Sequence, residues 1–153
     1  MIKVSVEVTN QSWHQKIKNP KKYFNKKLNK IPKVIKFVKK KNITFTILLT
    51  NALNMKKLNK KFRKYNKSTD VLSFPFFALS NLKLIKEKNI YLGDIAICYE
   101  IINSRAKKNS FLSEFDKVWI HGFLHLLGHN HKKNKDYFKM NKIEKKILNL
   151  ITE

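Results

Sequence analysis

The sequence predicts an α/β (α+β) fold, in which a small mixed four-stranded sheet packs with helices and residues 1–153 form a single domain. Three observations lead to this expectation. A chain of 153 residues fits one domain and is long enough to bury a core. Its hydrophobic content of 42% argues against a disordered chain. Segments with strand-like and helix-like patterns also interleave along it, which is typical of helices layered on a sheet.

Four segments have the alternation or composition of β-strands. Residues 2–8 alternate apolar and polar side chains, and residues 43–50 are rich in β-branched residues. A short apolar strand follows within residues 68–77, where Pro75 should place it at a sheet edge or end it. Residues 91–98 form the fourth strand, and the segment before it, 78–90, is expected to be a loop.

Helices are predicted between the first three strands. Asn19-Pro20 marks a helix start, because proline suits the first helical position. Pro32 should break or kink that helix, which the following residues could continue. Residues 51–63 form the next helix, with Asn51 as its N-cap and Arg63 at or just past its end.

The chain after the fourth strand is predicted to be helical in three segments. The first covers about 99–107 and the last about 134–151. The middle helix runs from about Ser113 to Leu127. It is started at Ser113 because Asp116, three positions on, gives a weak capping-box pattern.

The charge balance is strongly basic, with 34 lysine and arginine residues against 10 acidic ones and a formal charge of +24. Such a surface attracts polyanions, and RNA or DNA is the obvious partner. Lysine is abundant along the whole chain, however, so compositional drift explains the excess equally well. Only Arg63 and Arg105 are arginines. An arginine in so lysine-rich a chain indicates a position where the planar guanidinium, which can form two parallel hydrogen bonds, is needed.

The protein is expected to be cytoplasmic, with no membrane partner. Its first residues lack the apolar core of a signal peptide, and no apolar run approaches the roughly 20 residues of a membrane span. Cys98 is the single cysteine, which excludes an internal disulfide and fits a reducing compartment. Its position at the end of an apolar strand predicts a small buried hydrophobe.

Four of the five histidines lie in one stretch, HGFLHLLGHNH, at 121–131. His121 and His125 are one helical turn apart and therefore project from the same face. Gly128 can take the left-handed conformation that ends a helix, after which His131 can turn back toward the same point. Three imidazoles arranged in this way form an open tripod that suits zinc, with water in the fourth position. The spacing predicts one zinc ion per chain, bound by these three histidines.

Two histidines four residues apart are often exposed side chains with no ligand. A third histidine, placed after a glycine in a chain with only three glycines, favours metal binding. The spacing also matches HExxHxxGxxH of zinc peptidases, but the glutamate that acts there as base is Gly122 here. Hydrolysis of something other than a peptide is therefore favoured. His129 is expected to lie on the surface or to contact the metal ligands without binding the metal itself. His14 is expected to lie on the surface.

The histidine stretch resembles the HGxLHLxGxDH signature of the YbeY family of bacterial rRNA maturation endoribonucleases. LNKKFRKYNKSTDVLSFPF at 58–76 is similar to the family's LNxxyRxxdxpTDVLSFP segment, and LGDIAI at 92–97 resembles its LGDIvI strand. Glu114 lies where a glutamate usually precedes the HG pair. The final helix, with Met140 and Glu144, also resembles the family's ending. The resemblance covers most of the chain.

Two residues depart from the family pattern. Asn130 replaces the usual aspartate beside the third histidine. If that aspartate orients an imidazole, asparagine can still hydrogen-bond but lacks the charge that raises ligand basicity, so metal affinity could be lower. Ser68 replaces a proline before TDVLSFP and should affect only the rigidity of the loop.

The resemblance implies a single-strand-specific, metal-dependent endoribonuclease that acts in 16S rRNA 3′-end maturation and ribosome quality control. The implied partners are single-stranded RNA, pre-rRNA and ribosomal subunits. Arg63 matches the family's arginine and is the candidate catalytic residue. Its guanidinium could form two hydrogen bonds to phosphoryl oxygens and stabilise the negative charge that develops on them in the transition state. The alternative is a helix-end arginine paired with a carboxylate or carbonyl. Arg105 has no motif support and is assigned to the surface.

Other motif residues have simpler interpretations. Thr69 and Asp70 match family positions and are expected to cap a turn. Asp94 could hydrogen-bond to a histidine ligand or be an exposed carboxylate. Glu114, about 10 Å from the metal by helical rise, is expected to be structural. The aromatic residues near Arg63 are expected to lie mostly in the core and receive no function. They are Tyr65, Phe74, Phe76 and Phe77.

Two other functions stay open. A metallopeptidase is disfavoured by Gly122. A non-catalytic RNA-binding or ribosome-binding assembly factor would use the metal structurally. Three histidines with no fourth ligand in the motif favour an open catalytic site, since Asn130 is a poor zinc ligand beside imidazole. Whether water or the ribose 2′-OH attacks the phosphodiester is not decided by the sequence.

Overall fold

The computed structural model describes residues 1–77 and 82–152. Its four strands are β1 (Ile2–Val8), β2 (Asn42–Thr50), β3 (Val71–Pro75) and β4 (Asn89–Cys98). The strand order is β1-β2-β4-β3, with β1, β2 and β4 parallel and β3 antiparallel to β4. The predicted mixed four-stranded sheet and the α+β class are confirmed. The predicted edge position of the proline-containing strand is confirmed as well.

Seven α-helices accompany the sheet in the described part of the chain. The first four are α1 (Ser12–Lys16), α2 (Pro20–Leu28), α3 (Lys36–Lys39) and α4 (Ala52–Arg63). The last three are α5 (Tyr99–Arg105), α6 (Phe111–Leu126) and α7 (Asn134–Thr152). Short 3₁₀ turns occupy Ile31–Lys33 and Leu82–Leu84. No described helix is both long enough and apolar enough to cross a membrane.

The helix start predicted at Asn19-Pro20 and the predicted Asn51 cap are confirmed. The Asn19 side chain accepts a hydrogen bond from the Lys22 N–H at 2.9 Å, with Pro20 in the first turn of α2. Asn51 does the same for the Asn54 N–H, also at 2.9 Å, and starts α4. Such caps satisfy N–H groups that have no partner within the helix.

The predicted boundaries differ from the structure at three places. α6 starts at Phe111, because Ser110 is the N-cap and its hydroxyl accepts from the Ser113 N–H; the start predicted at Ser113 is therefore wrong. Around Pro32 the chain forms a 3₁₀ turn and a separate short helix, as proline removes a helical hydrogen bond. The predicted loop 78–90 contains a 3₁₀ turn, and β4 already begins at Asn89; residues 78–81 lie outside the described part.

The core has two unequal parts, one on each face of the sheet. The larger part packs α2, α6 and α7 against the sheet and includes the buried rings of Trp13, Phe24, Phe115 and Trp119. The smaller part lies under α4 and contains Met55, Leu72, Ala96 and Cys98. Cys98 is fully buried, as predicted, and burial raises the pKa of its thiol. The fold thus holds α6 tightly against the strands at the centre of the molecule.

Gly122 allows α6 to lie close to the sheet. A Cβ atom at this position would meet side-chain atoms of Ile95, Ser73 and Val71 at 3.0–3.1 Å. The Ser73 hydroxyl donates to the Gly122 carbonyl at 3.0 Å, which ties β3 to the helix. β3 is therefore held beside the two histidines of α6.

Candidate metal centre and cleft

His121 and His125 lie on the last turns of α6, and the helix ends as the sequence predicts. Gly128 has a φ of 95°, in the left-handed region. The His129 N–H donates to the Leu124 carbonyl and the Gly128 N–H to the His125 carbonyl, both at 3.0 Å. These two bonds form a Schellman motif that reverses the chain. The reversal brings His131 back toward the helix.

The three predicted ligand residues converge. Their ring centroids lie 4.6, 5.1 and 5.6 Å apart, and one nitrogen from each ring falls in a group whose members are all within 4.8 Å. The Nε2 atoms of His121 and His125 are 3.0 Å apart. Tetrahedral zinc with bonds of about 2.0 Å needs ligand nitrogens about 3.3 Å apart, so small shifts would bring these atoms to that spacing. In the described chain no cysteine or carboxylate joins the group.

The outer nitrogen of the His121 ring has an acceptor. The Nδ1 atom of His121 is 2.6 Å from the Glu144 carboxylate on α7. A histidine ligand usually donates its second N–H in this way, which directs the lone pair of the other nitrogen at the metal. The Nε2 atoms of His121 and His125 are close enough to share a cation in place of a proton, so the residues present fit a metal ion.

His125 is held in the form that a metal ligand requires. Burial of the ring, together with the neighbouring His121 and His131 rings, lowers the pKa of His125 to about 4. The ring is therefore neutral at pH 7. A neutral imidazole has a free lone pair for coordination.

The three histidines line a cleft of about 610 Å³. Residues of β3 also line it, together with Arg63, Asn130 and Lys132. Arg63 donates from Nη2 to the Ser73 carbonyl at 3.0 Å and is exposed, so its other N–H groups have no partner among the described residues. The predicted candidate residue Arg63 thus lies in the same cleft as the histidines.

Asn130 shapes the turn before His131. Its side-chain oxygen accepts from the Lys132 N–H at 3.3 Å, an Asx-type turn that an aspartate could also make. Lys132 adds a second positive charge to the cleft. The substitution at Asn130 is therefore compatible with the geometry of the turn.

Asp70 and Arg105 form an ion pair at the cleft edge, with 2.7 Å between the Arg105 guanidinium and the Asp70 carboxylate. The other carboxylate oxygen of Asp70 accepts from the Val71 N–H and from the Thr69 hydroxyl. The expected turn-capping role of Thr69 and Asp70 agrees with these bonds. Arg105 is about half exposed, and its ion pair with Asp70 stabilises the turn. The prediction of a plain surface residue did not include this contact.

Other predicted candidates lie away from the histidines. Asp94 is exposed on the opposite face of the sheet and accepts from the Tyr91 hydroxyl, so its possible place behind a histidine ligand is wrong. Glu114 is buried and accepts from Asn109 and Lys117, in line with a structural role. His14 is exposed on α1.

The prediction of a mostly buried aromatic group is wrong for two of its members. Tyr65 is 62% exposed in the loop after α4, and Phe76 is 68% exposed because the edge strand β3 ends at Pro75. Phe74 and Phe77 are partly buried. Sequence reasoning named Glu144 only as part of the family-like final helix and missed its contact with His121, although a carboxylate is uncommon in a chain with 10 acidic residues.

The fold and the site together define a class: an α+β protein with three converging histidines in a cleft that carries arginine and lysine. A profile of the family described as "Endoribonuclease YbeY" matches residues 7–152. The chain belongs to this family.

Individual relatives agree with that assignment. The "Endoribonuclease YbeY" of Pelagibacter ubique is 51% identical, covering 99% of this chain and 97% of the relative. The protein of the same name from Buchnera aphidicola subsp. Acyrthosiphon pisum is 42% identical, covering 84% and 79%. A solution structure of a Thermotoga maritima protein is similar, with a TM-score of 0.61 and 25% identity, covering 99% of this chain and 89% of that chain.

The Glu144 contact makes a testable prediction. Replacing Glu144 with glutamine keeps the side chain's shape but removes the charge that holds the His121 N–H. Zinc affinity should fall about 10- to 100-fold, measured by competition with a chromophoric chelator. The exposed Glu87→Gln variant serves as the control and should bind like the wild type. Equal zinc affinity in Glu144→Gln and wild type would refute the orienting role.

Proposed function

We propose that this protein is a metal-dependent endoribonuclease that cleaves single-stranded RNA in 16S rRNA 3′-end maturation and ribosome quality control. Membership of the endoribonuclease YbeY family supports the activity. The observation that carries the proposal is the convergence of three imidazole nitrogens in a cleft that Arg63 also lines. We further propose that residues 1–153 act as one domain.

His121, His125 and His131 would hold one zinc ion per chain. Neutral imidazoles suit zinc, and three protein ligands are typical of catalytic rather than structural zinc sites. When bound, zinc supplies Lewis acidity that polarises phosphoryl oxygens and makes water a nucleophile at neutral pH. Glu144 would keep the proton on Nδ1 of His121, which leaves Nε2 for the metal.

Arg63 would bind the phosphodiester. The Ser73 carbonyl fixes one side of its guanidinium, and the remaining N–H groups can form a bidentate contact with phosphoryl oxygens. Such a contact strengthens as negative charge builds on those oxygens. Lys132 adds a further positive charge in the cleft and would hold a neighbouring phosphate.

The charge of the whole chain supports an RNA substrate. A formal charge of +24 attracts polyanions and would bring the protein to pre-rRNA and ribosomal subunits, its proposed partners. The cleft is open, so it suits a flexible single strand. The cytoplasm is the proposed compartment.

The packing of Gly122 weighs against a metallopeptidase. In zinc peptidases the residue after the first histidine is a catalytic glutamate. Here a Cβ atom would lie 3.0–3.1 Å from side-chain atoms of β3 and β4, closer than ordinary van der Waals contact. A glutamate side chain at this position could not reach the cleft without displacing the sheet.

The test is cleavage of an end-labelled single-stranded RNA that carries the 16S 3′ region. Zinc-loaded protein should cleave it, and a chelator should reduce the rate at least about 100-fold until zinc is restored. The exposed His14→Ala variant should behave as wild type. RNA binding without cleavage under any metal would favour the assembly-factor alternative, and cleavage that chelation leaves unchanged would refute the metal-dependent mechanism.

A further inference from the structure

Three exposed aromatic rings lie beside the cleft and have no place in the mechanism above. Phe62, at the end of α4, is 54% exposed, Tyr65 is 62% exposed and Phe76 is 68% exposed. We call these three residues the aromatic platform. Exposed rings of this size on a soluble protein often mark a binding surface.

The platform adjoins cleft residues in the chain and lies beside the free edge of β3, on the face of the sheet that carries α4. Phe62 precedes Arg63 in the chain and Phe76 follows Pro75, and both Arg63 and Pro75 line the cleft. The Arg63 guanidinium reaches the Ser73 carbonyl on the free edge of β3. A strand that leaves the cleft past Arg63 and crosses the free edge of β3 would reach the platform.

The chain segment that carries Phe62 and Tyr65 is purely basic. Residues 52–67 contain Arg63 and six lysines, and no acidic residue. The Lys61 ammonium lies 5.3 Å from the ring centre of Phe62, and the Lys67 ammonium lies 5.8 Å from that of Tyr65. This combination of unpaired lysines and exposed rings complements the phosphates and bases of a polynucleotide and does not suit an apolar protein partner.

The platform is held in place by the fold. Phe62 packs edge-on against Phe74 at 5.2 Å, and Phe76 packs against Tyr91 at 6.0 Å. The buried Asn59 side chain donates to the Lys67 carbonyl at 2.8 Å and so fixes the loop that carries Tyr65. Rings held in this way lose little conformational entropy when a ligand stacks on them.

We propose that the aromatic platform stacks unpaired bases of single-stranded RNA next to the phosphate bound in the cleft. The lysines of α4 and the loop after it hold the backbone of the same segment. This inference rests on the proposed function, since it assigns the path of that function's substrate. Stacking on the platform requires unpaired bases. The protein would therefore prefer single-stranded RNA because of stacking and not because of the size of the cleft.

The test compares Phe62→Leu/Tyr65→Leu/Phe76→Leu with wild type. Leucine keeps the apolar packing against Phe74 and removes the flat ring. The control is Phe138→Leu, which removes a ring that is 67% exposed on α7. Binding is measured by fluorescence anisotropy with chelated protein, so that no cleavage intervenes. The probes are a labelled 12-nucleotide single-stranded RNA and an equal strand with abasic sites.

The platform should contribute about tenfold in affinity for each ring that stacks on a base. Wild type and Phe138→Leu should bind the intact strand much more tightly than the abasic strand. The platform variant should bind both strands equally and weakly, with an unchanged Tm. Equal binding of the intact strand by the platform variant and wild type would overturn the inference and leave a protein partner as the occupant.

The proposed function is judged separately, by zinc-dependent cleavage in the wild type. Cleavage by wild type together with unchanged RNA binding by the platform variant refutes the platform alone. Absence of cleavage by wild type refutes the function, whatever the variants bind. In the supporting case, the platform variant should show a raised KM on RNA and a kcat close to wild type.

Discussion

Replacing Gly93 with alanine is expected to destabilise the protein by about 4 kcal/mol or more, a large part of a typical stability of about 5–15 kcal/mol. Gly93 has a φ of 131°, a conformation that side-chain-bearing residues rarely adopt. A Cβ atom there would lie 2.1 Å from the Phe74 carbonyl oxygen and 2.9 Å from the Phe76 nitrogen. Because these are backbone atoms of the paired strand, β3 would have to move away from β4.

Thermal unfolding measures this effect. Tm should fall by about 10–15 °C, and zinc-dependent cleavage should be lost with the displacement of β3 from the cleft. The matched control is Gly122→Ala, where the added Cβ meets only side-chain atoms at 3.0–3.1 Å and the gain in helix propensity offsets part of the crowding. That variant should lose about 1–3 kcal/mol, less than Gly93→Ala. A Gly93→Ala protein of wild-type stability would contradict the β3–β4 packing described above.

Replacing Arg63 with alanine should reduce kcat/KM for RNA cleavage by about 10²- to 10³-fold, the usual effect of removing one group that stabilises transition-state charge. Most of the loss should fall on kcat, because the bidentate contact strengthens as charge develops on the phosphoryl oxygens. Zinc affinity should not change, since Arg63 bonds to Ser73 and not to the histidines. Steady-state cleavage kinetics and a zinc titration measure the two effects.

Two variants control the Arg63 experiment. Arg63→Lys keeps the charge but loses the planar fork, and it should recover only part of the activity. Arg105→Ala removes the other arginine, whose guanidinium pairs with Asp70, and should affect stability more than kcat. If Arg63→Ala raised KM and left kcat unchanged, Arg63 would bind substrate without stabilising the transition state.

The histidine cluster could be anticipated because its geometry is local. The four-residue spacing of His121 and His125 places them on one face of a helix. Gly128 then predicts the end of the helix and the chain reversal that brings His131 back toward them. The rings do converge in the structure, while their role as ligands and the role of Arg63 stay predictions. The fold class and the edge position of β3 were accessible for similar reasons, since alternation and Pro75 are local signals.

Features that depend on distant contacts could not be read from the sequence. Glu144 reaches His121 only because α7 packs against α6, and no spacing rule joins two residues 23 positions apart. The exposure of Phe76 follows from the sheet order, which leaves β3 without an outer neighbour. The start of α6 was misplaced because Ser110 and Ser113 both have capping side chains, and only the structure distinguishes donor from acceptor.

The central claim is that His121, His125 and His131 bind a single metal ion. Zinc titration of metal-free protein, with bound metal counted by native mass spectrometry, tests it most directly. One zinc per chain in wild type and His14→Ala, with at least about a 100-fold weaker site in His125→Ala, is the predicted result. Equal zinc binding by His125→Ala and wild type, or no zinc bound by wild type, would contradict it.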